Sequence, residues 1–269
     1  MSTGSLLTIQ KSLKLSELPS EDALLAAARE LIASTYSWKR GKSFQKNKVH
    51  TFSRSKGAGD GAAWHGRVSE HTAEDATFDE FWSKIGHDHA NNEVAFMKEV
   101  KKATLVKQVT SNMSIWSMYY EFTPPVSPRV FTVLQFAHLD ETSPRTGFLI
   151  QVPVDITEDP ELAKLEEKAV KGRYCSVEII KELENGNVEW RMATSSSPGG
   201  SIPTFIVESS MASTISADVP HFLNWYHSIR PKATSTLPST VTPTVTADIP
   251  VPGIAPTTVT SGTASGPVA

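Results

Sequence analysis

The side chains with the most chemistry to offer are arginines and carboxylates on alternating segments. Residues 63–71 read Ala-Trp-His-Gly-Arg-Val-Ser-Glu-His. A period of two there puts His65, Arg67, Ser69 and His71 on one side of a strand, opposite Trp64, Gly66 and Val68. In residues 174–179 the same period groups Tyr174, Ser176 and Glu178 against Cys175, Val177 and Ile179. An arginine facing a carboxylate inside a protein can hold a hydroxyl or a carboxylate through charge-assisted bonds, whereas a buried charge without a partner is costly. Arg67, Arg129, Glu178 and Arg191 are the candidates for such an anchor. Glu178, His71 and Tyr120 are the acid/base candidates if the chain is an enzyme. A half-buried sheet with its polar face in water alternates in the same way, and the sequence leaves both readings open.

Other chemistries find less support. His87-Asp-His89 with Glu93 could gather two imidazoles and a carboxylate, but lacks the His-Glu-x-x-His spacing of zinc hydrolases, and no cysteine cluster accompanies it. The expectation is a structural His89–Glu93 pair and no metal. No dinucleotide fingerprint, phosphate loop or nucleophile elbow occurs, and Ser195-Ser-Ser-Pro-Gly-Gly lies in a turn with no histidine and acid placed beside it. No cofactor and no catalytic residue is assigned. Cys175 is the only cysteine, so no internal disulfide can form; inside a strand it reads as a small buried hydrophobe.

These side chains must be positioned by the elements around them. The firmest is a hairpin, with strands at 174–183 and 188–194 joined through Glu184-Asn-Gly-Asn187. After Ser197-Pro-Gly-Gly-Ser201, Ile202-Pro203 opens a long helix whose stripe is Ile215, Val219, Phe222, Tyr226 and Ile229. Pro220 lies inside it, so a kink or a break into two helices is predicted. Earlier, Ser20-Glu-Asp caps a helix running to Tyr36 with Leu24, Ala28, Leu31 and Ile32 on its apolar side, and Trp38-Lys-Arg-Gly-Lys ends it. Strands are predicted at 49–54, 63–71, 105–109, 114–122, 129–138 and 146–154, with helices at 77–85, from 91 or 92 to 100, and over the charged connector 161–170. Trp116, Tyr119, Tyr120, Phe131 and Phe136 read as core, some of them walling any cavity, and Phe205, Met211, Ile215 and Phe222 do so on the closing helix.

A net charge of −3 and a pI near 6.2 argue against nucleic acid as a partner. The basic run 98–107 is broken by Glu99 and apolar residues and reads as a solvated face. No apolar stretch is long enough to span a bilayer, and no basic segment followed by a long apolar one opens the chain. With a lone cysteine, this gives the expectation of a cytoplasmic protein. Length allows one large domain or two small ones, and the oligomeric state is not readable.

The order of elements resembles the START domain, a helix-grip fold in which a curved antiparallel sheet wraps a long C-terminal helix around an internal cavity. Pro125-Val-Ser-Pro-Arg-Val-Phe131 is similar to the segment before a central START strand, with Val130 where an aspartate is usual. Tyr174-Cys-Ser-Val-Glu178, Trp190-Arg-Met-Ala-Thr194, Gly199-Gly200 and Ile202-Pro203 resemble a START-like family of unknown function known mainly from filamentous fungi, as do Trp64 to His71 and His89-Ala-Asn-Asn-Glu93. The resemblance implies an α+β domain over residues 20–231, after a polar leader at 1–19. It also implies an apolar ligand (lipid, sterol or polyketide-like), bound by a carrier or transfer module that leaves a transient membrane contact open, or turned over by a cyclase or aldolase-type enzyme of secondary metabolism. The ligand-facing set is Arg67, His71, Trp116, Tyr120, Arg129, Glu178, Arg191, Phe205 and Met211.

Residues 232–269 are almost wholly Thr, Pro, Ser, Val, Ala and Gly, with no aromatic residue, and are expected to be a disordered tail. Deleting them should leave the thermal midpoint unchanged; a midpoint several degrees lower would show that the segment packs on the domain.

Overall fold

A computed structural model describes residues 6–202 and 204–230, without the side chains of Thr204 and Phe205. Residues 1–5, Pro203 and 231–269, which hold the expected tail, lie outside the described residues. In chain order the elements are β1 (Leu13–Lys14), α1 (Glu21–Ser34), β2 (Lys39–Phe44), β3 (Val49–Arg54), β4 (Trp64–His71), α2 (Phe78–Ile85), α3 (His89–Phe96), β5 (Val100–Gln108), β6 (Met113–Tyr120), β7 (Arg129–Asp140), β8 (Thr146–Asp155), α4 (Pro160–Ala163), β9 (Val170–Lys171), β10 (Arg173–Glu182), β11 (Val188–Ser197) and α5 (Thr204–Ile229).

The main sheet runs β2-β3-β4-β11-β10-β8-β7-β6-β5 with every neighbour antiparallel. Two short strands are added in parallel, β1 on β8 and β9 on β7. Local chemistry sets the boundaries. The Ser20 hydroxyl accepts from the Ala23 amide at the start of α1, and a reciprocal Thr77–Glu80 capping box opens α2. The β10–β11 turn needs Gly186, whose φ is +80°. Gly66 is required by closeness instead: a Cβ there would lie 2.1 Å from the Phe52 ring.

The sheet is covered on both faces. On the outer face α1 lays Leu24, Ala28 and Ile32 against a core that includes Trp38, Phe52, Trp64, Ile150, Val152, Cys175, Val177 and Ile179. On the inner face α2 and α5 bring Phe78, Phe81, Trp82, Ile85, Val219, Phe222 and Tyr226 onto Val49, Leu149, Ile180 and Trp190. α3 closes the far side over Val100 and Met118.

Four expectations need correction. Residues 39–44 form the edge strand β2 and do not simply end a helix; the strand is exposed along nearly its whole length, so pairing with β3 and no apolar alternation makes it. The connector is helical only over α4, because Asp159 caps a single turn and Glu166 is drawn to the sheet by Thr132 (2.6 Å) and Lys171 (2.5 Å). The helix does not break in two at Pro220: α5 continues through it, with Val219 and Phe222 on either side of the proline in one cluster. The stretch read as a leader joins the domain, with Leu7 and Ile9 buried in the outer core and β1 on the sheet.

Phe222 is fully buried, with its ring 5.3 Å from Phe81, 5.2 Å from Trp190 and 5.6 Å from Phe96. Phe222→Ala should lower the unfolding free energy by about 3–5 kcal/mol, read from urea midpoints. A loss no larger than that of an exposed Ile229→Ala control would mean that α5 is not fixed by this cluster.

Candidate functional site

Register carries single rows of side chains across the inner face. His65 lies opposite Thr194, Thr194 opposite Ser176, Ser176 opposite Gln151, Gln151 opposite Gln135, and Gln135 opposite Ser114. Directly paired residues of antiparallel strands project to the same side, so six polar residues from six strands form one belt. Water does not bathe its middle: Thr194, Ser176, Gln151 and Gln135 are all buried, while His65 and Ser114 at the ends are half-buried. Ser176 donates to Gln151 Oε1 at 2.9 Å, while Gln151 Nε2, Gln135 Oε1 and His65 Nε2 are buried without a hydrogen-bond partner. Groups of this kind are usually paired in folded proteins.

The next row holds the charges. Arg67 is opposite Met192 and Met192 opposite Glu178. The Arg67 side chain is 0 % exposed. Its guanidinium carbon stands 4.1 Å from the Trp190 ring centroid, and its Nη2 is 3.4 Å from Glu178 Oε2 and 3.8 Å from Asp218 Oδ2 on α5. Glu178 also accepts from the Trp190 indole at 2.7 Å. Arg67 Nε and Nη1 are buried and unpartnered. Nearby, Tyr120 donates to Glu93 Oε1 at 2.9 Å, and Glu93 Oε2 is 3.7 Å from His89 Nε2.

Burial pushes the Asp218 carboxyl up to about 8, with Arg67 pulling it back and Glu178 and Glu93 raising it further. The side chain keeps 19 % of its surface, so water at that edge moderates the effect. Glu93 is raised by burial against the pull of His89. The Tyr120 and Tyr174 phenols are raised well above the usual range, first by burial and then by Glu93. The arrangement can accept hydrogen bonds at neutral pH, donate them from Arg67 and from protonated Asp218, and exchange a proton at Asp218.

A family described as "Protein of unknown function (DUF3074)" matches residues 64–226, more than half of the chain. The chain belongs to this family. No curated protein matches. Among solved structures, this DUF3074 chain is similar to human STARD10 at a TM-score of 0.63 and 10% identity, covering 79% of this chain and 81% of that one. Human StAR-related lipid transfer protein 5 gives 0.62 and 14%, covering 77% and 95%. A StAR-related lipid transfer protein fragment from Xanthomonas axonopodis gives 0.56 and 16%, covering 71% and 98%. Identities this low speak for the fold alone: a START-like helix-grip domain, α+β, with a curved antiparallel sheet and a long C-terminal helix. No helix among the described residues is long and apolar enough to cross a membrane.

The residues picked from sequence do not all come together. Arg67, Glu178 and Tyr120 come together around the buried charges. His71 and Arg129 are inward but occupied elsewhere. His71 is bonded to Ser69 (2.8 Å) and Asp75 (3.2 Å) against Phe81, while Arg129 donates to the carbonyls of Ser127 and Pro198 and clasps two loops. Trp116 shares the inner face toward the β5 edge and donates to Ser114 at 2.8 Å. Met211 lies over His65 and Ser196 at the other end, beside a small cavity of about 70 Å³. The Phe205 side chain is outside the described residues. Arg191 is a correction. It lies on the outer face, paired with Glu189 at 2.9 Å and stacked on Tyr36, because alternation in β11 turns Trp190 and Met192 inward.

Sequence reasoning passed over Gln135, Gln151, Tyr174, Glu93 as a ligand group, and Asp218. Two signals were present: a glutamine in the middle of each of two apolar strands, and Asp218 four residues before Phe222, hence on the buried side of the closing helix. A surface cavity of about 1080 Å³ lies elsewhere, between α1 and the β2–β3 edge on the outer side. It holds no counterpart of the buried charge cluster.

A carboxyl whose pKa rises on folding binds its proton more tightly in the folded chain. Its stabilising contribution is whole below the unfolded value near 3.8 and is lost as pH climbs to about 8. Asp218→Asn should therefore gain on the parent in unfolding free energy as pH rises through that window, measured by urea midpoints at a series of pH values. Parallel curves would show that Asp218 titrates as an exposed acid.

Proposed function

We propose that this domain binds an amphipathic, largely apolar small molecule in a cavity between the inner sheet face and α5. The observation that carries the reading is the buried polar belt with its unpartnered atoms at His65, Gln135 and Gln151, next to the unpartnered Nε and Nη1 of Arg67. A fold that needed this face only as core would bury apolar side chains there, as the outer face does. Arg67 and Gln151 offer donors to a ligand carbonyl, carboxylate or phosphate oxygen; Gln135 and Glu93 offer acceptors to a hydroxyl. Phe131 and Tyr174, with ring centroids 5.5 Å apart, and Trp116 supply the apolar wall. The likeness in fold to StAR-related lipid transfer proteins supports a binding or transfer role.

A second reading has one observation in its favour. Asp218, with a carboxyl near 8 beside Arg67, has what a general acid/base working on a carbonyl-bearing substrate requires, as in a cyclase or aldolase.

The test is titration with a fluorescent sterol and a fluorescent fatty acid. The parent should bind at least one saturably, at one per chain. Gln135→Leu with Gln151→Leu should keep the fold, weaken the hydroxyl-bearing probe by about tenfold per lost hydrogen bond at most, and strengthen a plain acyl chain. Absence of saturable binding to any apolar probe overturns the reading. Asp218→Asn separates the two roles: a carrier keeps its ligand affinity, whereas an enzyme keeps affinity and loses turnover of a carbonyl-bearing substrate.

A further inference from the structure

The β2–β3 hairpin carries a concentration of charge that the inner-face site does not use. Residues 39–56 hold seven lysines and arginines, and no aspartate or glutamate occurs from Leu31 to Gly59. The whole chain has a net charge of −3, so everything outside this segment carries −10 against its +7. Arg54 is paired with Asp60 at 2.9 Å. Lys39, Arg40, Lys42, Lys46, Lys48 and Lys56 are all exposed, and none of the ion pairs among the described residues includes them.

A lysine or two on an edge strand is the ordinary protection against edge-to-edge pairing. The opposite edge shows that pattern: β5 has Lys101, Lys102 and Lys107, with Glu99 just before it and Lys102 tied to Glu167 at 2.6 Å. The β2 edge goes well beyond it. Its tip turns through Gln45, Lys46 and Asn47, all at positive φ and all exposed. At its base Tyr36 is 66 % exposed, the ring held under the Arg191 guanidinium at 4.2 Å. An exposed aromatic beside clustered cations suits the boundary between headgroups and acyl chains.

We propose that the β2–β3 hairpin docks this domain onto an anionic lipid bilayer, its lysines on the headgroups and Tyr36 at the interface. A single basic edge of the sheet on an otherwise acidic protein suits a flat, negatively charged surface, toward which it orients the whole molecule. Nucleic acid would need cations over a broader face, since the rest of the chain repels phosphate.

The experiment is flotation of the full chain with phosphatidylcholine vesicles, with and without phosphatidylserine. The parent should bind only the anionic vesicles and come off as salt rises. K42Q/K46Q/K48Q should lose about 100-fold in partition, each lysine contributing about fivefold, while K101Q/K107Q on the opposite edge should lose little. Tyr36→Ala should weaken binding further. Circular dichroism checks the fold of each variant. If the triple variant is unfolded, the salt dependence of the parent decides, and salt-insensitive binding overturns the proposal. So do equal binding to neutral vesicles, no binding, equal losses in both lysine variants, or duplex RNA that competes the protein off the vesicles. The inner-face reading is tested separately: the triple variant should titrate apolar probes as the parent does, so either idea can fail alone.

Discussion

The burial of one guanidinium constrains most of what surrounds it. Arg67 has no exposed surface, and removing its charge from water would cost several kcal/mol without compensation. Compensation comes from three elements: Trp190 of β11 beneath it, Glu178 of β10 and Asp218 of α5. The closing helix thereby meets the sheet at a polar contact as well as at Phe222. The contacts are long, at 3.4 and 3.8 Å, and occupy only one of the three guanidinium nitrogens. The arginine is held in place without being used up.

The two faces of the sheet invert the usual division between a polar and an apolar side. The outer face, under α1, is a conventional apolar core in which even Cys175 is inert, its thiol pushed far up by burial. The inner face is equally covered but carries the belt and the charges. A sheet needs only one apolar face to hold its register. With α1 packed outside, the inner face is free to hold polar residues, and the local aromatic cluster at the α2–α5 end compensates for the apolar contact forgone there.

Much of this was legible in the sequence. The Asn-Gly turn marked the last hairpin, alternation grouped Arg67 with His65 and Glu178 with Ser176, and the stripe on the closing helix named Phe222 and Tyr226 as buried. Alternation gives faces but not their surroundings, so it could not distinguish a polar face in water from one under a helix. Arg191 shows the limit. In Glu189-Trp-Arg-Met192 one parity is charged and the other apolar, which is the ordinary amphipathic pattern, and the charged parity faces out. β2 was invisible because an edge strand with both faces in water has no apolar period to detect. Glu93 required knowledge of which helix covers which strand.

The place of β4 in the sheet has a consequence for how the chain is made. Residues 65–71 pair with residues 188–194, although β5 to β10 all lie between them in the chain. Contacts of this separation make folding slow, because the loop must close before it is rewarded. On the ribosome, β2, β3 and β4 emerge as a meander whose inner edge has no partner until nearly the whole domain has been synthesised. During that interval the β4 edge is an open template, and its proper partner competes for it with the strands of other nascent chains.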